Sequence, residues 1–173
     1  MMTQPFRFRW TGQGHDECAK NTFDATNWDA LLDVTRKSSG DAECLFEGDF
    51  HAGGRHIVRR IVVPSKRCRW IARLPIMPSS NTKSNGSWWT RERQFTMQSE
   101  IATMKHIAKT TNIPVPEVFG YNICLDANPV GHPYILMHCI EGNMIFDLGG
   151  PGVLNPEQSE RLHQSIASIQ MHR

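Results

Sequence analysis

The chain has 173 residues, 39% of them hydrophobic and 21% charged, which is enough for one domain with its own core. A formal charge of +2 and a pI near 8.3, with no block of lysine or arginine, leave no electrostatic footprint for nucleic acid. No run of about 18 apolar residues occurs and the opening MMTQPFRFRW lacks an apolar signal core, so a cytoplasmic protein without membrane contact is expected.

Residues 1–40 are polar and read as an N-terminal helical extension. The one helix there lies in TNWDALLDVTRK, where Thr26 and Asp29 make a weak capping box and Trp28, Leu31, Leu32 and Thr35 share a face. KSSGD breaks it. From Asp41 the pattern changes to strands. AECLFEGDF runs into a loop with Gly48, Gly53 and Gly54; HIVRRIVVP stops at Pro64; SKRC turns the chain and RWIARLP returns. Hairpin spacing of this kind predicts an antiparallel meander. Within the third strand Trp70, Ala72 and Leu74 point one way, Ile71 and Arg73 the other. An arginine in that position faces either solvent or a group negative enough to justify its burial.

The stretch Ile76 to Ser87 is a polar loop long enough to be mobile or functional. A long helix is predicted from about Trp88 to Thr111, with Met97, Met104, Ile107 and Ala108 as its apolar stripe and Asn112 and Pro114 ending it. Glu100 lies on that stripe, so a carboxylate on a buried helix face matches the arginine on the strand. IPVPEVFGYNIC gives a fourth strand, entered through two prolines, and HPYILMHCI a fifth, apolar enough to be central. EGNMIFDLGGPG reads as a linker. The last helix is capped by Asn155, with Pro156 at its first position and Gln158 closing a capping box; Leu162, Ile166 and Ile169 are expected to face inward.

In this order the pieces resemble the N-terminal lobe of the protein-kinase-like fold. The wording is similar to the aminoglycoside phosphotransferase family, within the broader phosphotransferase enzyme family. WIARLP, SEIATMKHI, TNIPVPEVFGY, NPVGHPYILM and the glycine of IEG carry the resemblance, which runs from about Glu43 to the end of the chain. It implies an α+β fold: a five-stranded antiparallel sheet with one long helix, plus N-terminal and C-terminal helices. Residues 41–142 would form the kinase-like lobe, and 143–173 a linker and the first helix of a second lobe that these residues do not contain. It also implies ATP as the nucleotide and a small-molecule hydroxyl as phosphate acceptor, with Mg2+ only in a full-length relative.

The same resemblance suggests site residues. Arg73 takes the place of the family's strand cation, usually lysine, and Ile71–Arg73 keeps the same-face spacing of the kinase A-x-K. Glu100 would hold Arg73 by a charge-assisted pair. Gly48, Gly53 and Gly54 would cover the phosphates, although an ordinary hairpin turn explains them equally well. Met137 would back the adenine pocket, with the backbone of His138 and Ile140 meeting the adenine edge. Arg73 and Glu100 also admit a purely structural reading, an ion pair with no ligand.

Other signals lead to less. Five cysteines, odd in number and without a C-x-x-C pair, indicate neither zinc nor a disulfide framework; reduced thiols are expected. His132 and His138 read as sharing a strand face, but two ligands without a third make no metal site. Trp88 and Trp89 are better explained as anchoring a helix start than as stacking a base. The family's H-x-D-x-x-x-x-N loop is missing. DLGGPGVLN offers Asp147 and Asn155, yet it lacks the histidine and has the wrong spacing, so no catalytic residue is assigned. The expectation is an ATP-binding lobe incapable of catalysis in this truncated chain. A non-catalytic interaction module derived from the same fold, or a non-functional gene fragment, stands as the alternative.

Overall fold

Side-chain alternation along RWIARLP decides how the sheet is covered. Trp70, Ala72 and Leu74 are fully buried, while Ile71 and Arg73 between them are half-buried. The computed structural model describes residues 13–78, 88–142 and 149–171. It contains β1 (Leu45–Ala52), β2 (His56–Val63), β3 (Cys68–Pro75), β4 (Val118–Asn122) and β5 (Tyr134–His138), in one antiparallel sheet of order β1-β2-β3-β5-β4. Around it stand α1 (Gln13–Ala25), α2 (Trp28–Ser39), α3 (Arg91–Thr110) and α4 (Pro156–Met171). This is the expected α+β arrangement, with β5 inside the sheet between β3 and β4.

Strand register sorts the residues onto two faces. On one face Ile57 lies opposite Leu74, Ile61 opposite Trp70 and Leu136 opposite Ala72. These residues form a single core with Ala19 of α1 and Leu31 of α2, all essentially inaccessible. Trp70 stacks on Phe119 with ring centroids 4.0 Å apart. Each such side chain contributes roughly 1.5–3 kcal/mol by leaving water. Arg59 belongs to this face too; its guanidinium lies 3.8 Å from the Phe46 ring centroid and 5.0 Å from that of Trp28. Two rings thus give a half-buried cation its contacts and tie α2 to the sheet. On the other face Val58 lies opposite Arg73, and Ile71 is flanked by Arg60 and Met137. There α3 covers the β3–β5 side, packing Met97 and Ile101 against Ile71, Ile135 and Met137.

Several expectations change. The N-terminal region holds two helices, because α1 precedes the one the sequence suggests. Its inner side is built from Ala19, Thr22 and one half-buried ring, Phe23, which stacks on Phe50; the Thr22 hydroxyl is satisfied by Cys18 O at 2.8 Å. No apolar stripe announces it. The cap of α2 is Asn27, whose Oδ1 accepts from Ala30 N at 3.1 Å; Thr26 instead bonds back to Thr22 O. Gly48 is not in the loop but inside β1, with φ +69° where the β1–β2 register shifts. α3 begins after its N-cap Thr90, and its buried residues are Met97 and Ile101, while Ala108 is exposed. On α4, Ile166 and Ile169 do not face inward; they are 46% and 44% exposed. Most of the Ile76–Ser87 loop (79–87) and of the linker (143–148, including Asp147) lies outside the described residues.

Candidate functional site

The open face of β3 delivers Arg73 to α3. Arg73 Nη1–H donates to Glu100 Oε1, joining strand to helix, with the two side chains 25% and 33% exposed. Sequence spacing put both charges on facing surfaces, and the fold brings them into contact. A third partner comes from the first residue of β2. His56 lies opposite Pro75 in the register, and its Nδ1 is 3.1 Å from Arg73 Nη2. A guanidinium can only donate, so Nδ1 is the acceptor and the imidazole proton sits on Nε2. Burial, then the charges of Arg73 and Arg55, push His56 down from 6.5 to about 4. At neutral pH the cluster is therefore one cation, one carboxylate and one neutral imidazole.

This use of the guanidinium separates an arginine from a lysine at the same position. Two of its roughly five N–H donors are occupied by Glu100 and His56, leaving about three. A lysine, with about three donors in all, would keep only one. Arginine can thus be held from both sides and still present donors to an oxyanion.

Beside the cluster lies a cavity of about 660 Å³. Gly54, Arg55 and His56 border it from the β1–β2 hairpin, Arg73 from β3, and Arg93 and Glu100 from α3. The hairpin connection is short: Gly53 N–H donates to His56 O at 2.5 Å, and a Cβ at Gly53 would come 3.2 Å from that oxygen. Only Gly54 of the three candidate glycines borders the cavity, and Gly48 lies back in the strand.

The residues expected to meet adenine lie further along the same sheet. Met137 is 3% exposed and pairs with Ile71, while Arg73 pairs with Ile135. The two pairs are separated by two residues, about 7 Å of strand. His138 is exposed, and its backbone N–H is already donated to Glu117 O at 2.8 Å. Ile140 is 61% exposed just beyond the strand. At that end of the open face stands an ionic group that sequence reading did not find. Glu47 accepts from Arg69 Nε at 2.8 Å and Nη2 at 3.1 Å, and Arg69 Nη1 donates to Glu141 at 2.7 Å. The Arg69 hydrogen bonds hold the Glu47 carboxyl below the ordinary range.

The histidines separate. His132 is buried ahead of β5; its Nε2 is 2.8 Å from Pro75 O, and its ring stacks on Trp88 at 4.9 Å. His138 points to solvent, so the two do not share a strand face. No group of three metal-ligating side chains occurs among the described residues. Trp89 anchors the start of α3 as expected, donating Nε1–H to Ile123 O at 2.6 Å. Asn155 and Gln158 cap α4 reciprocally, at 3.0 and 2.8 Å. Among the described residues no helix is long and apolar enough to cross a membrane.

Together these features define an α+β protein whose sheet is sealed on one face and carries an arginine-centred site on the other. No family model matches the chain. Subtelomeric hrmA-associated cluster proteins from two strains of Aspergillus fumigatus are each 45% identical to it over 51 residues, 30% of this chain and 10% of theirs. The crystal structure of a "putative aminoglycoside phosphotransferase" from Ralstonia eutropha superposes on 78% of this chain and 33% of its own, with a TM-score of 0.49 and 16% identity. The chain thus spans a third or less of the length of each of these proteins.

Proposed function

We propose that these residues form the ATP-binding lobe of an aminoglycoside-phosphotransferase-like small-molecule kinase, with Arg73 as the cation that meets the nucleotide phosphates. The supporting observation is the Arg73–Glu100 pair, joining strand to helix at the edge of a cavity. Phosphoryl transfer is catalysed mainly by positioning and neutralising charge, so a cation held in place is the first requirement of such a site. Glu100 and His56 are the positioning residues for Arg73. In this reading the adenine lies against Met137, with the backbone around His138 and Ile140 at its edge, and the chain of phosphates runs along the open face towards Arg73 and Gly54. Gly53 shapes the hairpin, and Gly48 lies behind it at the register shift of β1.

No H-x-D-x-x-x-x-N sequence occurs in these 173 residues, so nucleotide binding and not phosphoryl transfer is assigned to them. Magnesium and the acceptor hydroxyl would be held by the second lobe of a full-length relative. Titration calorimetry with ATP and with adenosine tests the proposal: Arg73→Ala should abolish the preference for ATP and leave adenosine binding unchanged. Equal losses for the two ligands would make Arg73 structural. A gene fragment is the second reading, favoured by the exposure of Ile166 and Ile169 on α4, an apolar stripe that further protein would normally cover. A folded chain that binds neither ATP nor adenosine would decide for it.

A further inference from the structure

We propose that Thr22 is a further positioning residue for the Arg73 site: its hydroxyl pins the chain where it leaves β3, which makes α1 a wall of that site. Pro75 ends β3 opposite His56 but has no N–H to donate, so the ladder cannot close the strand end by itself. Hydrogen bonds from three separate elements take its place. His132, ahead of β5, donates Nε2–H to Pro75 O at 2.8 Å. Ile76 N–H donates to Arg55 O of the hairpin at 2.8 Å, and Met77 N–H donates to Thr22 Oγ1 at 2.8 Å. The last of these joins residues 55 apart in the chain.

Thr22 is fully buried and its hydroxyl is used twice, since it also donates to Cys18 O at 2.8 Å. The bond to Cys18 is local and any helix can make it; the one from Met77 is tertiary. One turn back on the same side of α1, Cys18 lines the cavity together with Pro75, Ile76, Met77 and Pro78. The pinned segment and the helix that pins it thus form one wall. Arg73 lies two residues before Pro75, and His56, which accepts from Arg73, stands opposite Pro75. A strand end free to shift would therefore displace the acceptor that holds the guanidinium from one side.

For its ligand the inference rests on the nucleotide reading, so the experiment has one arm with nucleotide and one without. ATP and adenosine are titrated by calorimetry into the whole chain and into Thr22→Val and Thr22→Ser, whose folding is verified by circular dichroism. Valine has the shape of threonine but no acceptor for Met77 N–H. Thr22→Val should therefore weaken ATP about fivefold, the scale of one buried hydrogen bond, and leave adenosine unchanged. Thr22→Ser should keep the wild-type affinity. In the second arm iodoacetamide labels the ligand-free proteins, and peptide mapping follows the half-buried Cys18 against the exposed Cys124 as reference. Loosening α1 should raise the ratio of the Cys18 rate to the Cys124 rate about fivefold in Thr22→Val and not in Thr22→Ser. A faster Cys18 with unchanged ATP affinity makes Thr22 merely structural and overturns the positioning role; an unchanged Cys18 rate overturns the pin itself. A wild type that binds no ATP defeats the nucleotide reading, and the pin then stands or falls on the Cys18 ratio. Should Thr22→Val not fold, amide hydrogen exchange on the wild type decides. Met77 N–H should be protected at least as well as Ile76 N–H, and exchange at the rate of an open loop overturns the inference.

Discussion

His56 should make this protein acid-sensitive in a window where carboxylates contribute little. In the folded protein the imidazole is half-buried beside Arg73 and takes up a proton only near pH 4, against 6.5 for an ordinary histidine. Between those values the unfolded chain binds the extra proton and the folded one does not. Stability from this group is therefore complete above about pH 6.5 and falls as the pH drops towards 4. A difference of about 2.5 in pKa, at 1.36 kcal/mol for each, bounds the effect at about 3.4 kcal/mol, of which about 2.5 falls between pH 7 and 4.5. Solvent still reaches the ring and screens it, so about 1–1.5 kcal/mol is expected. Glu47 and Asp41 are held below the usual carboxylate range and are lost only at lower pH. His132 and His51 are also depressed, chiefly by burial, and add to the slope with the same sign. The assay is urea unfolding by tryptophan fluorescence at pH 7 and pH 4.5, on the wild type and on His56→Gln, whose amide oxygen can still accept from Arg73. The loss on acidification should be smaller in the variant by about 1–1.5 kcal/mol. Identical losses in the two proteins would refute a buried neutral His56.

Glu100→Gln removes the charge that holds Arg73. The pair is partly exposed, so the cost in stability should fall between that of surface and buried pairs, about 1–2 kcal/mol, with ATP affinity reduced and adenosine affinity retained. An unchanged denaturation midpoint would show that the contact carries nothing. Trp70→Ala should cost about 3–5 kcal/mol, because the ring is fully buried and stacked on Phe119. Trp70→Phe should cost far less, about 1 kcal/mol, since Nε1–H is buried without a partner among the described residues and its removal relieves a desolvation penalty. Equal costs for the two variants would show that the indole nitrogen is not orphaned.

Local periodicity carried much of this fold. The alternation in RWIARLP assigned Trp70, Ala72 and Leu74 to a buried face, and they are the most deeply buried residues of β3. The capping box at Asn155 is local hydrogen-bond chemistry and is found as read. α1 was missed because it packs through Ala19, Thr22 and a single ring, Phe23, which are too few apolar side chains to give a helical period. The stripe on α4 was legible as a pattern, but a pattern does not say what covers it, and here Ile166 and Ile169 remain exposed.

The sequence by itself determined which residues could form an ion pair, because a two-residue period in β3 and a helical period in α3 each place one charge on one face. Arg73 and Glu100 were found in that way, and they meet. Tertiary structure alone decided their company. His56 joins them through the β2–β3 register, in which it stands opposite Pro75, 19 residues further along the chain. Arg55 and Arg93 line one cavity because a hairpin tip is carried to the first turn of a helix 38 positions away. Gly48, read as part of a loop, became a bulge in β1 once pairing with β2 extended to Ala52. Periodicity reports the direction of a side chain from its own backbone. Register and helix placement depend on contacts between distant segments, and no local pattern encodes which segments those are.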